Sequence, residues 1–276
     1  MPPSRKRKKP ITSAPAEQGA SSSNPNSSRT LIRRFHVLLK QAAQLRSSPG
    51  NAQNASSLTA VETEIEALGG LAAYQRMSSI GQGDDRGGGS EKVLISWMQE
   101  MKMSTRGSEI KIKLLEVGAL KPDNYRSCDS WIDVTPMDLR SRHPDILEQD
   151  FLLMDSEGEH HEKWDIISLS LVVNFVPDPK HRGRMLCMAR DMLVSEGLLF
   201  LALPLPCVEN SRYLTFPRLK EMMAVIGFTE VNQRWKKNGK MAYWLYRKGT
   251  VNEDNTDFTK KVVLKQGNRN NFSILL

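Results

Sequence analysis

Apolar positions in the first part of the chain recur at helical spacing, and from about residue 111 onward they gather into short runs separated by turns. From Thr30 to Leu45 the residues Leu31, Ile32, Phe35, Leu38, Leu39, Ala42 and Leu45 trace one helical face, with Arg33, Arg34 and Lys40 between them. A linker is expected over 46–57. A second helix is expected from Leu58 to Met77, with Glu62, Glu64 and Glu66 in its early turns and a break at Gly69-Gly70. Tyr74-Gln75 follows that break, and 83–90 reads as a flexible loop. Glu91–Met103 carries Val93, Leu94, Trp97, Met98 and Met101 on one side, predicting a helix that lies as a lid over one end of a sheet.

The pattern then changes to alternating strands and helices. Strands are predicted at Lys111–Val117, Trp131–Leu139, near Gln149–Leu152, at Trp164–Val173 and at Leu198–Leu203. Trp164–Val173 is apolar on both faces, as a central parallel strand must be. Helices are predicted at Lys180–Ser195 and Leu214–Ile226, the second stopping at Gly227. Between Glu230–Lys236 and Lys240–Arg247 stands Asn238-Gly239, a strong hairpin signal, so the last two strands should be antiparallel.

This order places the candidate chemistry at strand ends. The first strand closes on Glu116-Val117-Gly118, and a glycine turn there lets a nucleotide-like cofactor approach bare backbone. Asp138 ends the second strand, twenty residues beyond Gly118, where a carboxylate usually holds a ribose hydroxyl pair. Asp133 is a rival, but it falls earlier in the strand, before Pro136. Asp150-Phe151 is a carboxylate–aromatic pair that could bond and stack a cofactor base; a turn cap is the plainer role for Asp150. Asn174-Phe175, ahead of Pro177, ends the central strand, where ligands bind in open α/β sheets. A strand-end cap and a core position are the plainer roles for these two. His160 and His161 have no Cys or His at ligand spacing, so no metal is expected.

Composition adds a division of charge. Residues 1–50 hold ten Lys/Arg and one acid, Glu17, a balance of +9, so the head carries the whole of the net +8 and the rest of the chain is near neutral at −1. Such a head suits an acidic partner, most often nucleic acid, and the Arg5–Lys9 run reads as a nuclear import signal or an RNA-binding patch. Residues 1–28 are polar and expected to be disordered, 29–104 a helical extension with linkers, 105–248 the α/β domain, and 249–276 a loose polar tail. Cys128, Cys187 and Cys207 are scattered and form no disulfide framework, which fits a reducing compartment. No apolar stretch is long enough to span a membrane.

Alternating βα units closed by an antiparallel hairpin form the seven-stranded, Rossmann-like layout of the class I methyltransferases. The stretches GGLAAYQRMSSIGQ (69–82), LEVGAL (115–120), IDVTPMDLRSRHPDILEQDFL (132–152), SLSLVVNFVPDPKHRGRML (168–186) and LFLALPLPCVENSRYLTFPRL (199–219) resemble the fungal 25S ribosomal RNA adenine-N(1)-methyltransferase family. The resemblance spans about residues 60–248. It implies S-adenosylmethionine held at Glu116 and Gly118, with its ribose on Asp138 and its adenine between Asp150 and Phe151. Asn174 and Phe175 would face the target base. It further implies large-subunit ribosomal RNA or a pre-ribosomal particle as partner, a monomer, and a nuclear or nucleolar location. Two other classes remain open on sequence: a non-catalytic S-adenosylmethionine sensor that regulates a protein, and a nicotinamide-dependent oxidoreductase, which the single glycine and the Asn-Gly hairpin disfavour.

Overall fold

The computed structural model describes residues 34–35, 37–39, 41–42, 44–46, 52–70, 73, 89–105, 110–141, 143–251 and 257–276. The Arg5–Lys9 run, Tyr74-Gln75 and most of the 83–90 loop lie outside these residues.

Seven strands form one sheet: β1 (Ile112–Val117), β2 (Ile132–Asp138), β3 (Leu147–Glu148), β4 (Trp164–Ser170), β5 (Leu193–Pro204), β6 (Phe228–Trp235) and β7 (Met241–Lys248). Their order is β3-β2-β1-β4-β5-β7-β6, and only β7 runs against its neighbours. The center of the sheet is apolar on both sides. Leu114, Leu115, Ile166, Ile167, Leu199, Phe200 and Leu201 are all fully buried, each such side chain contributing about 1.5–3 kcal/mol.

Each face has its own cover. On one face α2 (Glu91–Glu100) lays Val93, Leu94, Trp97 and Met98 over Leu114, Ile166, Leu198 and Phe200. The helix therefore covers a face, and Ser90, before its first turn, reaches a strand end through a hydroxyl contact with Ser170. On the other face lie α3 (Pro179–Met192) and α5 (Phe216–Ile226), after the four-residue α4 (Pro206–Glu209). Helix α3 starts at Pro179, capped by Asp178, and ends at Met192 rather than Ser195, because Leu193 is buried and already pairs with Trp164 as strand.

Two expectations change. The 249–276 tail is not loose over its described end, 257–276: Phe258, Phe272, Ser273 and Ile274 are buried. Its polar groups do the anchoring, with Ser211 Oγ donating to the Phe272 carbonyl at 2.5 Å and the Leu275 N–H donating to the Pro179 carbonyl at 2.9 Å. The helix expected from Leu58 begins instead at Ala52, inside the predicted linker, as α1 (Ala52–Ala67). The described residues within 34–46 are helical, with Phe35, Leu38 and Ala42 buried. Arg34 and Arg46 there pair with Glu64 and Glu62 of α1, so these two cations of the basic head face protein carboxylates.

Candidate cofactor and base site

Parallel pairing sets the candidate residues side by side. Val117 is level with Met137 of β2 and with Leu169 of β4, so Gly118, Asp138 and Ser170 share one edge of the sheet. Gly118 has φ +81, and a Cβ there would lie 2.6 Å from Val172 Cγ2. The turn thus needs glycine for its left-handed backbone and for its closeness to the segment after β4. The Gly118 and Ala119 N–H groups both donate to the Met137 carbonyl, at 2.8 and 2.9 Å.

Register also decides between the two carboxylates. Asp133 is exposed and pairs with Lys113, toward the opposite end of β1. Asp138 is half-buried beside Gly118, and its Oδ1 accepts the Arg140 N–H at 2.9 Å. Its carbonyl accepts the Gln149 N–H at 3.0 Å, which brings Asp150 to the same edge. Asp150 Oδ1 caps the short 3-10 turn Phe151–Leu153 by accepting the Leu152 N–H at 2.9 Å.

Phe151 departs from expectation. Its ring is 3% exposed and belongs to the main core, so it presents no face for stacking. Leu153, two residues on, is 76% exposed and is the apolar surface next to Asp150. The pattern hid this because an apolar residue beside a site and one in the core read alike.

Glu116 is 7% exposed on the face covered by α2. The chain from Ala119 to Ser130 makes no full crossover helix; it has only the 3-10 turn Arg126–Cys128. From this segment Asn124 Nδ2 donates to Glu116 Oε1 at 2.7 Å, while Oε2 is buried with no hydrogen-bond partner. Burial is the main cause that pushes this carboxyl up to about 8; the Asn124 bond opposes it and the charge of Glu91 adds to it. Burial likewise drives the Tyr125 phenol well above its ordinary value.

Beyond β4 the backbone turns sharply. Leu171 has φ +59, a left-handed conformation rare for a leucine and a form of local strain that gathers at functional sites. The Phe175 N–H donates to the Val172 carbonyl at 2.8 Å and closes the turn. Asn174 and Phe175 are half-buried within it, and Asn174 Oδ1 is buried without a partner.

Arg182 of α3 holds this loop, a residue that sequence reasoning missed. It is 2% exposed and donates to the carbonyls of Val176 (2.7 Å), Pro177 (3.2 Å) and Ser273 (2.6 Å). Its guanidinium lies 4.4 Å from the Phe272 ring centroid. Desolvation lowers its pKa to about 10. A signal did exist: Arg182 interrupts the buried face that continues through Met185, Leu186 and Ala189.

Among the described residues no group of three or more His, Cys, Asp or Glu could hold a metal. His160 instead stacks on Trp164, with ring centroids 6.3 Å apart. No helix among them is long and apolar enough to cross a membrane.

A sheet in this order with β7 alone reversed, carrying its glycine turn and acidic strand end on the edge of β1 and β2, defines a class I methyltransferase. Among solved structures, the CurJ carbon methyltransferase matches the fold with a TM-score of 0.50 at 14% identity, over 84% of this chain and 73% of that one. The profile of the family described as "25S rRNA (adenine(2142)-N(1))-methyltransferase, Bmt2" matches residues 59–274, and the chain belongs to that family. The 25S rRNA adenine-N(1) methyltransferase of Schizosaccharomyces pombe is 36% identical over 251 residues, covering 88% of this chain and 89% of that protein. The 25S rRNA (adenine(2142)-N(1))-methyltransferase of Saccharomyces cerevisiae is 31% identical over 262 residues, covering 94% and 76% respectively.

Proposed function

We propose that this protein transfers a methyl group from S-adenosylmethionine to N(1) of an adenine in large-subunit ribosomal RNA. Membership of the family over residues 59–274 carries the reading, and the site's geometry is compatible with it. When bound, the cofactor supplies an electrophilic methyl on a sulfonium.

The residues present fit such a cofactor. Glu116 Oε2 is buried with no partner, and an ammonium group placed against it would favour the ionised carboxylate over the protonated form that burial alone favours. The turn at Gly118 offers backbone that no Cβ shields. Asp138, fixed by the Arg140 N–H, would hold the ribose hydroxyls, and Asp150 the adenine amino group. Leu153 supplies the apolar surface that the buried ring of Phe151 cannot.

The chemistry asks little of proton transfer. Adenine N(1) carries an in-plane lone pair and needs no general base. What it needs is alignment, an effect worth up to ~7–11 kcal/mol, and release from pairing, because N(1) lies on the Watson–Crick edge. Asn174 Oδ1, buried and unpartnered, can accept from the exocyclic amine, and Phe175 beside it can contact the base. The product base is cationic, and an amide oxygen nearby favours it. Arg182 keeps the Asn174 loop in place through the Val176 and Pro177 carbonyls.

The Arg5–Lys9 run supports a nuclear location, and the ribosomal RNA substrate named for the family supports a nucleolar one and a role in ribosome biogenesis. No observation favours a non-catalytic sensor. The test is transfer of labelled methyl from S-adenosylmethionine to large-subunit RNA from cells lacking the protein. Label recovered as 1-methyladenosine is the expected result. Cofactor binding without label in free RNA or in an immature particle would overturn the enzyme reading.

A further inference from the structure

The reverse strand β7 brings a second feature to the edge that holds Gly118, Asp138 and Asn174. Strands β6 and β7 are joined by residues 236–240, and the turn lies at the carboxyl end of the parallel strands: Met241 pairs with Pro204 at the end of β5, and the Leu205 N–H donates to the Lys240 carbonyl at 2.8 Å. From 234 to 240 the chain holds Arg234, Lys236, Lys237 and Lys240 and no acid, and all four are exposed.

Within this cationic turn stands an aromatic ring. Trp235 is 42% exposed, and its inner side stacks on Phe216 at 5.0 Å between centroids. It is thus held at a fixed angle with part of its surface open to solvent.

Ordinary surface patterning accounts for these residues poorly. At the other end of the same ladder Arg247 pairs with Glu196, and Lys248 with Glu162. At the end near the site, none of the four cations has an ion pair among the described residues. Lysines can guard an edge strand against unwanted pairing, but Lys236, Lys237 and Lys240 lie in the turn beyond β6, where there is no ladder to guard. Unpaired cations interleaved with an exposed aromatic are what single-stranded nucleic acid recognises: the cations track phosphates and the ring stacks a base.

We propose that the Arg234–Lys240 turn is an RNA-docking platform, with Lys236, Lys237 and Lys240 on the phosphate backbone and Trp235 stacking an unpaired base close to the target adenine. The proposal rests on the RNA-methyltransferase reading for the adenine, but not for the contact itself. Three strand spacings separate β4, which leads to Asn174, from β6, which ends at Trp235, or about 14 Å. A strand of RNA with one base turned out toward Asn174 would cross that span within a few nucleotides. The platform would also help hold the target loop open, since a base stacked on Trp235 is lost to its own duplex.

The test compares the wild type with Trp235→Ala, Trp235→Phe and a Lys236→Gln, Lys237→Gln, Lys240→Gln triple variant. Binding is read by fluorescence anisotropy with a labelled single-stranded RNA of about 12 nucleotides across a salt series. Methyl transfer to protein-free large-subunit RNA and calorimetric binding of S-adenosylmethionine are measured alongside. The triple variant should weaken RNA binding and reduce the slope of log affinity against log salt by about 2, from three lost phosphate contacts on a single strand. Trp235→Ala should lose about tenfold in affinity or more, with Trp235→Phe retaining most of it. Both effects should raise KM for RNA while cofactor binding stays unchanged. RNA affinity and salt slope unchanged in both the Ala and the triple variants would overturn the platform, even with methyl transfer intact. Hairpin-dependent RNA binding by a protein that transfers no methyl would support the platform and overturn the enzyme reading instead.

Discussion

Replacing Glu116 by glutamine separates the energetics of a buried carboxyl from the architecture that buries it. In the folded chain this carboxyl keeps its proton to about pH 8, whereas unfolded it releases it near 4.5. Between those values the folded state binds more protons than the unfolded one, so stability falls as pH rises. The contribution is fully present below about 4.5, is lost as pH climbs through about 8, and stays lost above that. The gap corresponds to about 5 kcal/mol, a large part of the ~5–15 kcal/mol that holds a domain folded. Glutamine keeps the acceptor for Asn124 Nδ2 and has nothing to titrate. Urea unfolding followed by tryptophan fluorescence, at steps from pH 5 to 8.5, gives the comparison. Glu116→Gln should gain on the wild type steadily across that range, by several kcal/mol in total. Pairing the two proteins cancels other titrating groups, including His160, whose lowered pKa acts in the opposite direction. Parallel stability curves for the two proteins would refute the reasoning, because they would mean that Glu116 is solvated or charged in the folded state.

Other outcomes follow from the same edge of the sheet. Asn174→Ala should lower kcat by ten- to a hundredfold while leaving the melting temperature unchanged or slightly higher, since it removes a buried acceptor whose isolation costs about 1–3 kcal/mol; a large loss of stability would make Asn174 structural. Asp138→Ala should abolish S-adenosylmethionine binding in calorimetry with the fold intact, whereas Asp133→Ala, at the far end of β2, should bind as the wild type does. Gly118→Ala should destabilise by at least ~1–2 kcal/mol from its left-handed backbone alone, with a further loss from the Val172 contact, and should weaken cofactor binding in the same assay.

The succession of strands and helices along the chain could be read because its signals are local. Apolar runs ended by turns set β1, β2 and β4, Asn238-Gly239 set the reversal, and residue spacing favoured Asp138 over Asp133 before register placed the two at opposite ends. What escaped depends on contacts far apart in sequence. Phe258, Phe272 and Ile274 show no period in a polar stretch, so nothing marked them as core. The charge of the head suggested an acidic partner, yet two of its cations, Arg34 and Arg46, pair with Glu64 and Glu62 of another helix, which no local pattern shows. Phe151 was placed beside a ligand on the strength of its neighbour Asp150, while its ring turns inward.

The bond from Arg182 to the Ser273 carbonyl spans 91 positions. During synthesis, at about 5–20 residues per second, roughly 5–20 s pass between the appearance of Arg182 and that of its third carbonyl partner. Through that interval every residue assigned to cofactor and base already exists, yet the loop bearing Asn174 lacks its downstream brace. The strands β5, β6 and β7 also lie within that span, so the brace on the Asn174 loop is added only after every strand of the sheet has been made.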